Sequence, residues 1–134
     1  MKIITFNIGE SLYGVIMDNI KEIMPYPTQV AKLPSQRNDV IGVCNLRGCI
    51  TTILDINKLC NVEDKPKKFL IHFSKGESNV SFPTETIPQT LDADLSEIDE
   101  IPFAGDLVKG IVKTKIGLVI LLDDEKLFNP FVKI

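Results

Sequence analysis

The 134-residue chain contains no tryptophan, a single histidine and only three cysteines. Acid–base catalysis would therefore depend on His72 or on carboxylates. The motifs of serine hydrolases, zinc proteases, P-loop enzymes and dinucleotide-binding enzymes are all missing. Cys44, Cys49 and Cys60 form no C-x-x-C pair, so the close ligand spacing of a zinc site is missing as well. We therefore expect no catalytic residue, no metal and no cofactor, and we interpret the cysteines as structural thiols of a reducing compartment.

Two further absences limit the partners and the location of the protein. The formal net charge is −3, which argues against a nucleic-acid partner and against binding to acidic lipids. No window approaches the roughly 20 apolar residues of a membrane span. The first residues also lack the apolar core and the cleavage site of a signal peptide. We therefore expect a cytoplasmic protein without direct membrane insertion.

The sequence has no amphipathic helical pattern of helix length, and short β-type segments take its place. Strands are expected over residues 2–8, 12–18, 40–45, 50–56, 69–73, 107–113 and 117–122. The first alternates as a half-buried strand does, with Ile4, Phe6 and Ile8 on one face. Asp55 and Asp123 are expected to cap short helical turns. Frequent turn signals between short strands favour a small barrel or a sandwich.

Two other segments are expected to lie outside the centre of a sheet. Pro83 and Pro88 interrupt residues 79–88, which predicts a poor strand at a sheet edge. Residues 91–100 carry five carboxylates and are expected to be a solvated segment.

The most informative stretch, residues 42–59, occurs twice. An offset of 68 aligns it without a gap to residues 110–127, so that Gly42 matches Gly110 and Arg47 matches Lys115. Further upstream, an offset of 67 relates residues 6–11 to residues 73–78. Two halves of about 65 residues would each be marginal alone. We therefore predict a single domain, residues 1–134, with lobes of approximately 1–65 and 66–134 that share a core. Exchange of terminal strands between the lobes is left open.

Arg47 stands at a tight corner, Asn45-Leu46-Arg47-Gly48, between two apolar runs. A guanidinium that is fixed on a rigid β corner is suited to recognition, because its planar fork makes geometrically specific pairs. From the residues alone we expect a compact β protein that binds other proteins.

Three segments of the sequence together form a family pattern: Phe6-x-x-Gly9-Glu10-x-x-Tyr13-Gly14, Ile20-Lys21-Glu22-Ile23, and Ile41-Gly42-Val43-Cys44-Asn45-Leu46-Arg47-Gly48-x-Ile50-x-x-Ile53-Leu54-Asp55. Through these segments the chain resembles the CheW-like domains of bacterial chemotaxis. Residues 108–111 and 121–127 are similar to the second half of that family. The resemblance implies an all-β fold of two SH3-like five-stranded β-barrels that share a core, with a few short helical turns.

For function, the resemblance implies a non-enzymatic adaptor that couples chemoreceptors, the methyl-accepting chemotaxis proteins, to the histidine kinase CheA. The regulatory domain of CheA would pair with the protein barrel to barrel. The cytoplasmic hairpin tip of the receptor would lie in the groove between the lobes. Carried over by position, Arg47 and Glu22 would form an ion pair beside that groove. Four further partner-binding residues would lie around the pair: Ile20, Gly42, Val43 and Leu46.

Three alternatives remain open at this point. One is a CheW-like adaptor for a kinase of another pathway, such as motility or gene regulation. Another is a small metal- or ligand-binding enzyme that uses His72 and the cysteines. The third concerns Arg47 alone, which would only pin the corner to Glu22 without contacting a partner.

Overall fold

The structure is a computed structural model. It describes residues 1–34, 39–60, 62–63, 65–94, 96, 98–101, 105 and 107–128. The strands in this part of the chain are β1 (Lys2–Ile8), β2 (Ser11–Ile16), β3 (Ile20–Pro25), β4 (Val40–Leu46), β5 (Cys49–Leu54), β6 (Phe69–Lys75), β7 (Ser78–Thr84), β8 (Gln89–Asp92), β9 (Val108–Thr114) and β10 (Gly117–Leu122). The helical elements are a 3-10 turn over Met17–Asn19 and two short helices, α1 (Ile56–Leu59) and α2 (Asp124–Phe128).

The strands form two five-stranded sheets. The first sheet has the order β8-β1-β2-β10-β9 and the second has the order β3-β6-β7-β5-β4. All neighbours are antiparallel except one pair in each sheet, β2 with β10 and β5 with β7. The expected fold of two five-stranded SH3-like barrels with short helical turns is confirmed, and we call the two sheets the first and second barrel.

The internal duplication recurs in the bounds of three pairs of strands. Adding 68 converts the bounds of β4 into those of β9 and the bounds of β5 into those of β10, and adding 67 converts β1 into β6. The parallel register repeats as well, because Thr52↔Val80 in the second barrel corresponds to Ile120↔Tyr13 in the first. The two barrels are therefore copies of one pattern of strand pairing.

Neither barrel is built from a continuous half of the chain. The hairpin β1–β2 joins β8, β9 and β10, while the hairpin β6–β7 joins β3, β4 and β5. Each barrel therefore takes strands from both sides of residue 65. This exchange of hairpins ties the two halves together in addition to the core that they share.

In the described part of the chain, apolar side chains form three clusters, one inside each barrel and one between the barrels. The shared cluster combines Phe6 of the first barrel with Phe73 and Phe82 of the second, and its ring centroids are 6.0 Å apart for Phe6–Phe82 and 4.8 Å apart for Phe73–Phe82. Ile3 packs inside the first barrel. Cys44, Leu46, Ile53 and Leu70 pack inside the second barrel.

The prediction that β1 is half-buried is wrong, because both of its faces are covered. Ile4, Phe6 and Ile8 point into the shared core, while Ile3 lies inside the first barrel. Thr5 is buried as well, and its hydroxyl donates a hydrogen bond to the Gln89 carbonyl oxygen at 3.1 Å. A strand that separates a barrel interior from a second core has no solvent face along most of its length.

The prediction that residues 79–88 lie at a sheet edge is also wrong, because β7 is the middle strand of the second barrel. Proline removes a ladder hydrogen bond and is usually confined to edges. Pro83 is tolerated here because β5 pairs with β7 only at Val80 and Ser81, before the proline. Residues 89–92, at the start of the acidic region, instead form the edge strand β8.

Both predicted helix caps are confirmed. The Lys58 backbone N–H donates to Asp55 Oδ1 at 3.3 Å, and the Glu125 backbone N–H donates to Asp123 Oδ1 at 3.0 Å. Within the described residues, no helix combines the length and the apolarity needed to cross a membrane.

Candidate docking site at the Arg47 corner

The corner between β4 and β5 is a two-residue turn in which both residues are left-handed. Leu46 pairs with Cys49, and the residues between them, Arg47 and Gly48, have φ values of 56° and 86°. Turns of this kind match the twist of the flanking strands. Arg47 is the one non-glycine residue with positive φ in the described part of the chain. The left-handed conformation costs an ordinary residue about 1–2 kcal/mol, so a side chain that is retained here calls for an explanation.

The Arg47 guanidinium forms the expected ion pair with Glu22. Nη2 lies 2.8 Å from Glu22 Oε2, and the side chains are 81% and 24% exposed. Glu22 belongs to β3, which is one edge of the second barrel, and Arg47 follows β4, the opposite edge. The ion pair therefore bridges two edges of the sheet, while most of the guanidinium surface stays in contact with solvent. An exposed ion pair of this kind contributes only about 0–1 kcal/mol to stability.

The first barrel shows that the hairpin can close without this arrangement. Lys115 takes the place of Arg47 and Gln89 takes the place of Glu22. In that turn positive φ occurs at Gly117, and the Thr114 hydroxyl donates to the Gly117 carbonyl oxygen at 2.8 Å. The fold thus provides an unstrained version of the same corner. Among the described residues, only the Arg47 corner combines a left-handed arginine with a carboxylate partner, which points to a role beyond hairpin closure.

The other predicted site residues differ in how deeply they are buried. Leu46 is buried inside the second barrel, and Ile20 is half-buried against the shared core. Val43 is half-buried, and it exchanges two backbone hydrogen bonds of 2.8 Å with Ala31. Their contact with a partner stays a prediction.

Gly42 lies beneath the chain segment that contains Ala31. An added Cβ at residue 42 would overlap the Ala31 carbonyl oxygen and meet Val30 Cγ1 at 3.0 Å. The same arrangement recurs at Gly110, where Asp99 takes the place of Ala31. The structure therefore gives Gly42 a packing role, namely to admit a backbone segment against the edge strand β4. A contact of Gly42 with a partner stays a prediction.

Among the groups that an enzyme interpretation would use, His72 and Cys44 are buried, whereas Cys49 and Cys60 are partly exposed. His72 is 1% exposed, and its Nε2 lies 2.9 Å from Asn79 Oδ1. Burial raises the pKa of the Cys60 thiol to about 11, and a hydrogen bond with Tyr13 opposes this shift. Among the residues that the structure describes, no three His, Cys, Asp or Glu side chains are grouped as metal ligands.

One polar cluster was not found from the sequence. Lys67 Nζ lies 3.6 Å from Glu85 Oε2, and the side chains are only 9% and 13% exposed. Asn57 Nδ2 donates to the same Glu85 oxygen at 3.0 Å and to the Glu63 carbonyl oxygen at 2.8 Å. The cluster ties the connector between the halves to α1 and to the segment after β7. Its residues come from three separate segments, so no local pattern could have revealed it.

Comparison with known proteins adds independent information. The model of the CheW-like domain family matches residues 2–131. The chain is 27% identical over 134 residues to a chemotaxis protein CheW of Thermotoga maritima, which covers 96% of this chain and 87% of that protein. It is 23% identical over 140 residues to a chemotaxis protein CheW of Treponema pallidum, with coverage of 96% and 82%.

A solved structure shares the fold. The crystal structure of the scaffolding protein TtCheW from Thermoanaerobacter tengcongensis superposes with a TM-score of 0.81 at 24% identity, and the match covers 95% of this chain and 86% of that chain. The doubled barrel described above is therefore also found in an experimental structure.

Proposed function

Since the chain belongs to the CheW-like domain family, we propose that it is a non-enzymatic adaptor that couples chemoreceptors to the histidine kinase CheA. The observation that carries this proposal is the Arg47 corner, where the backbone of Arg47 is left-handed and Glu22 holds its exposed guanidinium. Two relatives are chemotaxis proteins by name, which favours chemotaxis over a kinase of another pathway. Such an adaptor works in the cytoplasm and reaches the membrane only through its receptors.

The Arg47 corner has the properties of an interface anchor. Arginine is enriched among residues that dominate binding energy, because its fork donates several directed hydrogen bonds. Glu22 orients the group and leaves most of its surface free for the receptor hairpin tip. Ile20 on β3 and Val43 on β4 offer partly exposed apolar surface on the two strands that carry Glu22 and lead to Arg47, and the neighbouring Leu46 is buried in the second barrel.

Both barrels also carry apolar surface that suits a pairing of barrel with barrel. Ile50 on β5 is 61% exposed, and its counterpart Leu118 on β10 is 62% exposed. A large aliphatic side chain in the same outward position of each barrel gives the regulatory domain of CheA an apolar contact on either side. Contacts of modest area bind weakly, and multivalency in a receptor array would supply the cohesion.

The test is assembly of the ternary complex from purified receptor fragment, CheA and this protein. Arg47→Glu should leave a folded protein that no longer joins the complex. Lys115→Glu is the matched control, because it makes the same substitution in the equivalent turn of the first barrel. It should assemble as the wild type does.

A melting curve must accompany the assay. Loss of an exposed ion pair is expected to lower the Tm by no more than a few degrees, since about 1 kcal/mol shifts the Tm of a domain of this size by about 3–5 °C. If Arg47→Glu assembles like the wild type, the role of Arg47 in docking is refuted. If Arg47→Glu fails to assemble because it is unfolded, the result favours the alternative in which Arg47 only holds the corner to Glu22.

A further inference from the structure

We propose that Asn45 is a positioning residue, whose side-chain oxygen holds the turn in the left-handed form that directs the Arg47 guanidinium to Glu22 and to the partner. The Gly48 backbone N–H donates to Asn45 Oδ1 at 2.8 Å. This bond joins the two ends of the Asn45-Leu46-Arg47-Gly48 corner, with Arg47 between them. The inference rests on the proposed function where it is tested by binding to a partner. Its test by 15N relaxation in the isolated protein does not depend on that function.

The turn needs such a constraint because its conformation is unfavourable at Arg47. A left-handed arginine costs about 1–2 kcal/mol relative to an ordinary backbone conformation. An Asn side-chain oxygen can accept a hydrogen bond from a backbone N–H a few residues further along the chain, and the bond from Gly48 to Asn45 offsets part of that cost. Without this acceptor, the Gly48 N–H would bond water and the turn could relax.

The first barrel indicates what a relaxed turn looks like. Lys113 is the counterpart of Asn45, and the hydroxyl of Thr114 takes over the hydrogen bonding of the turn. There the residue after the corner lysine, Ile116, has no positive φ, and the left-handed residue is Gly117. Asn45 therefore supplies the side-chain acceptor in the turn that contains the left-handed Arg47. In the equivalent turn, which contains Lys115, the hydroxyl of Thr114 is the acceptor instead.

Asn45 has no comparable role in packing. Its side chain is exposed, and its cross-strand neighbour Ile50 is 61% exposed. Truncation to alanine removes no buried surface, so the variant should fold with a Tm close to that of the wild type. An effect on binding would then arise through the turn rather than through the core.

The experiment compares Asn45→Ala with Asn45→Asp, which keeps an acceptor oxygen, and with Lys113→Ala at the equivalent position of the first barrel. The first measurement is 15N relaxation of the Arg47 amide in the isolated protein. We expect an order parameter of about 0.85 in the wild type, in Asn45→Asp and in Lys113→Ala, and a value below about 0.6 in Asn45→Ala. An unchanged order parameter in Asn45→Ala would overturn the proposal.

The second measurement is the Kd for the regulatory domain of CheA and for the receptor hairpin. Asn45→Ala should weaken the binding that depends on Arg47 by about threefold to tenfold, the range expected for one hydrogen bond. In an Arg47→Ala background, Asn45→Ala should have no further effect. A loss of affinity that persists without Arg47 would show that Asn45 contacts the partner itself and would overturn the positioning role. If the wild type binds neither partner, the proposed function fails, and relaxation of Arg47 still decides the role of Asn45.

Discussion

Replacement of Gly42 by alanine should destabilise the protein, because residue 42 touches the backbone of another segment. The added methyl group would overlap the Ala31 carbonyl oxygen, which cannot move without its chain. We therefore expect the segment around Ala31 to separate from β4. The two hydrogen bonds of 2.8 Å between Ala31 and Val43 would be lost together.

The magnitude follows from what is lost. Each backbone hydrogen bond contributes about 0.5–1.5 kcal/mol net. Val30 packs against the interior cluster of the second barrel, and partial exposure of this side chain adds about 1 kcal/mol. The expected loss in the free energy of unfolding is therefore about 2–4 kcal/mol.

Urea unfolding at constant m value measures this loss directly. Gly48→Ala is the control, because its Cβ would meet no atom within 4 Å and only the positive φ of 86° opposes the change. That strain costs about 1–2 kcal/mol. Gly110→Ala should behave like Gly42→Ala, since its Cβ would lie 2.7 Å from the Asp99 carbonyl oxygen. A Gly42→Ala protein within about 0.5 kcal/mol of the wild type would refute the close approach of the two segments.

Three further predictions concern buried polar groups. The pKa of the Cys60 thiol is raised from its ordinary 9.0 to about 11, mainly by burial. Above pH 9 the folded state keeps a proton that the unfolded chain releases, so the free energy of unfolding should fall as the pH rises from about 9 through about 11. Cys60→Ala should reduce this fall in a plot of stability against pH. Lys67→Ala should lower the free energy of unfolding in urea by about 2 kcal/mol or more, because Glu85 would remain largely buried without its cation. Lys65→Ala, which changes an exposed lysine two residues away, should be nearly neutral. Equal stability of the two variants would contradict a stabilising ion pair between Lys67 and Glu85. Asp55→Ala should cost about 1 kcal/mol by loss of the α1 cap, and a cost no larger than that of Asp55→Asn would show that the acceptor oxygen is unimportant.

Most strands of the two barrels could be predicted from the sequence, and four of them could be paired as equivalents because one pattern occurs twice. The match of residues 42–59 with 110–127 fixed the equivalence of β4 with β9 and of β5 with β10, and the structure repeats it to the residue. The caps at Asp55 and Asp123 were predictable too, because capping depends on a few neighbouring residues.

The pairing between distant segments could not be predicted in the same way. An exchanged and an unexchanged hairpin bury the same side chains, so the composition of β1 and β6 does not distinguish the two topologies. Pro83 was misleading because proline argues against a central strand only where both neighbours pair beside it. β8 was missed because its four residues, Gln89–Asp92, are polar at three positions.

The candidate site was partly predictable. The Asn-Leu-Arg-Gly corner predicts a recognition role for Arg47, and the resemblance to the CheW-like domains predicts its ion pair with Glu22. The left-handed conformation of Arg47 was not predicted, because it depends on how Gly48 and Asn45 act together in the turn. The burial of Gly42 under Ala31 was hidden for a similar reason, since the two residues approach through the fold rather than through the chain.

The adaptor function is tested most directly by titration of the protein with the regulatory domain of the CheA kinase that is encoded in the same genome. We predict saturable one-to-one binding with a Kd of about 1–50 μM, within the span between weak and tight complexes. No saturable binding up to about 500 μM, with both proteins folded, would contradict the proposed coupling to CheA.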